Sequence, residues 1–283
     1  MNYRHAFHAG NFADVVKHAC LALLIRELAQ GEEALTVVET HAGAGRYDLS
    51  ATPAERTGEA ANGVARLMAA EDAPAAFAPY LAVLRRENPS GEVTTYPGSP
   101  AIAARMLRAQ DRYAGVELRD DDHAALKTVL RARANAEAVH GDGWKEALNR
   151  VRRGERTLVM CDPPFESGED YDAAARLLSS GLKIENRAVM AVWLPIKDLE
   201  TFDGFVREVE ALNPPPTLVA EVRLRSLDDP MRLNGCALVV VNDPGRLQAS
   251  MAEVCRWTAE RLGEPGGEGR VWRIGAAREA TAA

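Results

Sequence analysis

The chain has 283 residues, 47% of them apolar and 27% charged, and its 34 Lys and Arg against 41 Asp and Glu leave a formal net charge of −7. That length supports one large domain, or one domain carrying an insertion, with a core that needs no covalent staple. The longest apolar runs, Ala188–Ile196 and Cys236–Val241, fall well short of the ~20 residues of a membrane span. The N-terminal Met-Asn-Tyr-Arg-His has no apolar stretch before a cleavage site, so no secretory leader is expected. Cys20, Cys161, Cys236 and Cys255 stand far apart with no CxxC pair, which argues against a disulfide framework or a cysteine-rich zinc site and fits the reducing cytoplasm. A protein that wraps nucleic acid nonspecifically is normally basic. This chain is acidic, so any nucleic-acid contact must come from a local basic patch.

In chain order, the first helix is predicted over Phe12–Gln30, with apolar residues at helical spacing. A β-branched run, Ala34–Val38, then leads into the glycine turn His41-Ala42-Gly43-Ala44-Gly45, as a buried parallel strand passes into a loop. Residues 53–88 are rich in Ala, Arg, Glu and Leu and read as helices, with Pro74 and Pro79 as breaks. They are taken as an inserted small helical subdomain, 51–91, between the two parts of the main domain, 1–50 and 92–275. From Val93 the pattern alternates. Strands are predicted at Val93–Tyr96, Tyr113–Leu118, Ala136–His140, Thr157–Cys161, Val189–Leu194, Leu218–Leu224 and Cys236–Val241. Helices are predicted at Ala101–Ala109, Asp121–Arg133, Trp144–Val151, Tyr171–Leu182 and Asp198–Leu212. Such alternation implies crossover connections and a mostly parallel α/β sheet covered on both faces. The last two strands lack a helix between them and are expected to form an antiparallel edge. Gln248–Leu262 reads as a closing helix, Gly263–Gly269 as a flexible link to Val271–Ile274, and 276–283 as a disordered tail.

An open parallel sheet binds its ligand at the carboxyl ends of the strands, here the loops after Val38, Leu118, His140 and Cys161. Gly43 and Gly45 allow a ligand to approach the backbone, although the loop is not a G-x-G-x-x-G fingerprint and a plain turn explains it equally well. Glu117 ends a strand where an acid can accept hydrogen bonds from ribose hydroxyls; a solvated carboxylate is the alternative. Asp142-Gly143 offers a carboxylate and a backbone amide to an adenine, but is also a common turn. Asp162-Pro163-Pro164-Phe165 is more specific. Two prolines stiffen the backbone, so the Asp162 carboxylate and Pro163 carbonyl can hold an amine-bearing base while Phe165 stacks on it. His5, His8 and His18 have no metal-ligand spacing, and no metal is expected.

The glycine loop with a later Asp-Pro-Pro-aromatic motif resembles S-adenosylmethionine-dependent methyltransferases that act on the exocyclic nitrogen of adenine or cytosine. The block Tyr3-Arg4-His5-Ala6-Phe7-His8-Ala9-Gly10-Asn11, with Asp14-Val15, Lys17-His18, Thr40 to Tyr47, Glu55-Arg56-Thr57-Gly58 and Tyr96-Pro97-Gly98-Ser99-Pro100, resembles the RlmJ family over about Met1 to Ile274. That resemblance implies a Rossmann-like class I methyltransferase fold and S-adenosyl-L-methionine as cofactor, with S-adenosyl-L-homocysteine as product. The implied activity is methylation of the N6 of one adenine in 23S ribosomal RNA (position 2030). It implies cofactor contacts from His18, His41, Ser99, Glu117, Asp142 and Gly143, with Lys17 beside them moving on ligand binding and Asp162 between cofactor and base. Tyr3 matches the family's RNA-contacting position. Arg4, His5 and Arg46 extend the candidate RNA-facing patch, and Arg85 and Arg86 are either part of it or a solvated helix face. The sequence departs at Phe165, where many relatives carry tyrosine. A DNA adenine-N6 methyltransferase and a non-catalytic RNA-binding protein of the same fold remain alternatives. The protein is expected to act as a cytoplasmic monomer.

Overall fold

The computed structural model describes residues 8–50, 58–227, 229 and 231–274. Tyr3, Arg4, His5, the block at 55–57 and the tail at 276–283 lie outside the described residues. Among the described residues, no helix is long and apolar enough to cross a membrane.

The first helix, α1 (Phe12–Leu28), is capped by the Asn11 side chain, which accepts from the Asp14 N–H, and is buried along nearly its whole length. A helix apolar on all sides belongs in a core. It packs against α5 (Ser99–Met106) and α10 (Gln248–Leu262). It ends two residues earlier than predicted, where Gly31 takes a left-handed turn (φ 110°).

Eight strands form the central sheet. They are β1 (Leu35–Glu39), β4 (Arg112–Glu117), β5 (Ala136–His140), β6 (Arg156–Cys161), β7 (Val189–Ile196), β8 (Thr217–Arg223), β9 (Gly235–Val241) and β10 (Glu268–Ile274), in the order β10-β8-β9-β7-β6-β1-β4-β5. The run β7-β6-β1-β4-β5 is parallel throughout. β9 lies antiparallel between β7 and β8, and β10 adds a further antiparallel edge on β8. The expected antiparallel edge is therefore three strands wide. This is the Rossmann-like α/β arrangement. The order in which the chain adds parallel strands reverses at β1, with β4 and β5 laid on one side and β6 and β7 on the other, and such a switch point is where a crevice opens in these sheets.

Side-chain alternation along the strands divides the core. Leu35, Val37, Leu158, Met160, Leu218 and Val240 face α1, α5 and α10. Val38, Val159, Cys161, Val219 and Val239 face α7 (Gly143–Leu148), α8 (Glu169–Ile184) and α9 (Leu199–Ala211). Each fully buried aliphatic side chain contributes about 1.5–3 kcal/mol, so both layers are needed to hold the sheet. The helix α6 (Asp120–Leu130) covers β5.

Between β1 and β4 lie β2 (Arg46–Asp48), α2 (Glu59–Asn62), α3 (Val64–Ala69), α4 (Ala78–Glu87) and β3 (Thr95–Pro97). Val64, Leu67, Phe77, Tyr80 and Leu84 from this stretch are buried in the same cluster as α1. Three expectations are corrected. The strand predicted at Val93–Tyr96 is β3, which pairs antiparallel with β2 outside the central sheet. Pro79 does not break a helix but sits in the first turn of α4, where its missing N–H has no helical partner to lose. Gly269, expected in a flexible link, lies in β10, so close to α10 that a Cβ would stand 2.1 Å from the Cys255 carbonyl oxygen.

Candidate active site

The strand ends at the switch point open into a cavity of about 750 Å³, within the usual size range for small-molecule and cofactor sites. Lys17, His18, His41, Gly43, Ser99, Glu117, Asp142, Gly143, Asp162, Pro163 and Phe165 all line it. Gly45 does not. Its carbonyl accepts from the Gly98 N–H at 3.0 Å, so it anchors the loop from behind. Arg46 is held by Glu87 at 2.7 Å, and Arg85 and Arg86 project from the last turn of α4, exposed.

The floor comes from α1. Asp14, Lys17 and His18, spaced three and four residues apart, share one side of the helix and are buried to 2%, 5% and 1% exposure. The Lys17 ammonium is 2.9 Å from Asp14 Oδ1 and 2.6 Å from Asp162 Oδ2. Burial works to lower the Lys17 pKa, but the two carboxylates outweigh it and hold the group well above its usual range. The Asp14 Oδ2 also accepts the Gly10 N–H at 2.8 Å. His18 Nδ1 lies 2.6 Å from the Tyr96 hydroxyl, which in turn meets the Tyr80 hydroxyl at 2.9 Å.

The wall at β1 and β4 is a set of backbone approaches. Gly43 has a left-handed φ of 61°, which favours glycine, and its N–H donates to Glu117 Oε2 at 2.9 Å. The other Glu117 oxygen accepts the Arg119 N–H at 2.8 Å. Glu117 therefore fixes the glycine loop while facing the cavity. Gly143 packs its backbone on β1's end, where a Cβ would stand only 1.8 Å from the Thr40 carbonyl oxygen. Asp142 caps α7, accepting the Trp144 N–H at 3.0 Å through Oδ1. His41 stacks edge-on against Trp144 at 5.0 Å, and burial lowers its pKa from the ordinary imidazole value against the opposing pull of Asp162, Asp170 and Asp142. Ser99 donates to Glu39 Oε2 at 2.6 Å. Burial pushes the Glu39 carboxyl up to about 7 despite that bond and Lys17.

Beyond Asp162, Phe165 adopts a left-handed φ of 48°, a conformation that costs a non-glycine residue about 1–3 kcal/mol and clusters at functional sites. Its ring is 7% exposed and leans on Tyr171 at 4.6 Å and Trp193 at 6.1 Å. Phe165 and Trp193 are too close and too tilted to sandwich a planar ring between them. Trp193 also carries Lys17 Nζ 5.7 Å from its ring centroid, a cation–π distance.

The sequence reading gave no role to Asp14, Trp144, Asp170, Trp193, Lys197, Met231 or Leu233, all of which line the cavity. Asp14 had a signal: a charge on the face of an otherwise apolar helix. Among the described residues no group of side chains is arranged to hold a metal ion. The donor set instead fits S-adenosylmethionine. Glu117, Asp142, Asp162 and Asp170 suit a cationic ligand, and the Gly43 and Gly143 backbones face the same cavity.

Comparison with known proteins places the chain in a family. Residues 32–274 match the family model described as ribosomal RNA large subunit methyltransferase D, RlmJ. The chain is 34% identical over 273 residues to ribosomal RNA large subunit methyltransferase J of Escherichia coli K12, covering 95% of this chain and 96% of that one. It is 33% identical over 264 residues to the Haemophilus influenzae protein of the same name, covering 93% and 94%. A crystal structure of a Legionella pneumophila protein superposes with a TM-score of 0.88 at 26% identity, covering 95% of this chain and 99% of that one. With a family model spanning most of its length and two relatives above 30% identity along nearly all of it, the chain belongs to the RlmJ family of ribosomal RNA large subunit methyltransferases.

Proposed function

We propose that this enzyme uses S-adenosylmethionine to methylate the exocyclic N6 of one adenine in 23S ribosomal RNA, in the cytoplasm and as a monomer. The observation that carries the reading is Asp162-Pro163-Pro164-Phe165 at the carboxyl end of β6, facing the same cavity as Glu117, Asp142 and Gly143. Bound S-adenosylmethionine supplies an electrophilic methyl group on a sulfonium. Glu117 would hold its ribose hydroxyls, Asp142 and the Gly143 N–H its adenine, and His18, His41 and Ser99 its amino-acid end.

The chain's own work is positioning and charge stabilisation. An adenine amine is a weak nucleophile because its lone pair is delocalised into the ring. The Asp162 carboxylate and the Pro163 carbonyl accept from its two N–H groups and turn the nitrogen toward the methyl. Lys17 engages Asp162 Oδ2 and leaves Oδ1 to accept from the base, while the ammonium keeps the carboxylate ionised and in place. Asp162 would stabilise the positive charge that develops on the amine as it takes the methyl, and would accept the one proton the amine loses. The base must leave its stack to reach this depth, and Phe165 or Trp193 gives it an aromatic surface.

The test is transfer of labelled methyl from S-adenosylmethionine to unmodified 23S ribosomal RNA. The expected product is N6-methyladenine at a single position, and its absence overturns the reading. Asp162→Ala should lower kcat at least about 100-fold, in line with loss of a transition-state partner. Cofactor affinity should fall by a smaller factor than kcat, since Asp162 is one of several carboxylates facing the cationic cofactor.

A further inference from the structure

The apolar side chain most exposed among the large hydrophobics of the described residues is Met231, at 88%. A single exposed apolar side chain is ordinary on a soluble protein. Three observations set this one apart. It stands on the rim of the catalytic cavity, in the connection between β8 and β9. Its backbone is braced: the Met231 N–H donates to Asp229 Oδ1 at 3.0 Å, and the Arg232 N–H to the Asp229 carbonyl at 3.2 Å. The turn is also clipped to the end of β7. Asn234, fully buried, donates from Nδ2 to the Asp229 carbonyl at 2.7 Å and to the Lys197 carbonyl at 3.0 Å, and its N–H reaches the Ile196 carbonyl at 3.0 Å. One asparagine thus ties the turn that bears Met231 to Lys197, an exposed lysine on the same rim.

We propose that Met231 is a wedge that enters the RNA strand and fills the gap left by the extruded adenine, while Lys197 takes a flanking phosphate. The inference rests on the reading of the cavity as the pocket for a flipped base. Extrusion leaves two neighbouring bases without a stacking partner and costs a few kcal/mol. An apolar side chain inserted between base steps offsets that loss, and proteins that kink nucleic acid use methionine among such wedges. The thioether is unbranched and polarisable, so it fits between bases of either size. Leu118, the next most exposed, follows Glu117 on the side of the cavity assigned to the cofactor and does not compete for this role.

The experiment uses the full chain. The wild-type enzyme first maps the modified adenine on unmodified 23S ribosomal RNA. A fragment around it that wild type methylates is then made with native flanks, and again with an abasic sugar on each side of the target. Met231→Ala should lower kcat/KM about tenfold on the native fragment and match wild type on the abasic one, where no stack has to be replaced. Met231→Leu should stay close to wild type on both. S-adenosylmethionine affinity by calorimetry should not change in either variant. Equal kcat/KM for Met231→Ala and wild type on the native fragment overturns the wedge, and so does a loss that persists between abasic flanks. A wild-type enzyme that produces no N6-methyladenine on 23S RNA overturns the reading of the pocket as well, which separates the two failures.

Discussion

Lys17 lies between a nearly inaccessible carboxylate, Asp14, and a more open one, Asp162, whose side chain is 21% exposed. Water can reach Asp162 if the lysine is lost, but Asp14 has no such recourse. Removing one partner of a buried pair strands the other charge, at a cost of about 3–5 kcal/mol. Lys17→Met is therefore expected to lower unfolding stability by roughly that amount in urea, and Asp14→Asn in the same chain should restore most of it. A loss below about 1 kcal/mol would show that Asp14 does not depend on Lys17. The Asp14–Lys17 half of this pairing follows from i,i+3 spacing on one helix, but the Lys17–Asp162 half spans 145 positions and only the fold joins it. Asp162, Glu117 and Asp142 could be singled out because each ends or follows a parallel strand, and the strand-end rule names those places without any knowledge of contacts. Trp193 and Met231 escaped it. One sits inside the parallel strand β7, three residues before its end, and the other in a connection between antiparallel strands that the rule does not mark. Gly45 was taken for a ligand contact because glycine near a strand end suits two purposes, and here its purpose is the turn.

The elements that were read correctly are those with strong periodicity. β5 and α10 match their predicted limits to the residue, and the other central strands and the longer helices differ only at their ends. β2 was not predicted at all, since three residues with one buried side chain show no period, and β3 was assigned to the wrong sheet for the same reason. Other structure comes from contacts between elements distant in sequence, such as the junction of the segment before α1 with α2. His8 Nδ1 lies 2.9 Å from Glu59 Oε1, and the Asn11 side chain donates to Glu59 Oε2 at 3.1 Å. The hydrogen bond to Glu59 raises the His8 pKa above 6.5 despite partial burial. For a histidine raised in this way the stabilisation is fully present below the unfolded pKa and is lost as pH rises through the folded value. Amide exchange at Gly10 and Asn11, corrected for its intrinsic pH dependence, should therefore quicken relative to the core as pH rises from about 6 to 8. Glu59→Gln should remove that pH dependence. Exchange that tracks the core at every pH in both proteins would mean that the ion pair does not hold this segment.

At the scale of the whole molecule, an acidic chain must bind a polyanion. The net charge is −7, and the cavity walls carry more carboxylates than cations. That balance favours a cationic cofactor inside and repels phosphate from the same opening, so the RNA strand must be held at the rim. Among the described residues, the cations there are few. Lys197 is one, and Arg232 is another, only loosely paired with Glu264 at 3.7 Å. Arg119 is held between Asp121 and Asp122 and is largely neutralised. Each phosphate contact on a single strand contributes a slope of about −0.7 to the plot of log K against log salt. Two to four contacts therefore give a slope between roughly −1.4 and −2.8 for 23S RNA. Cofactor affinity, set inside a cavity where salt screens less, should change by less than about twofold over the same range. A slope steeper than about −6 would require a broad basic surface, and would mean that this enzyme finds its RNA by charge rather than by the shape of the rim and the single base it draws in.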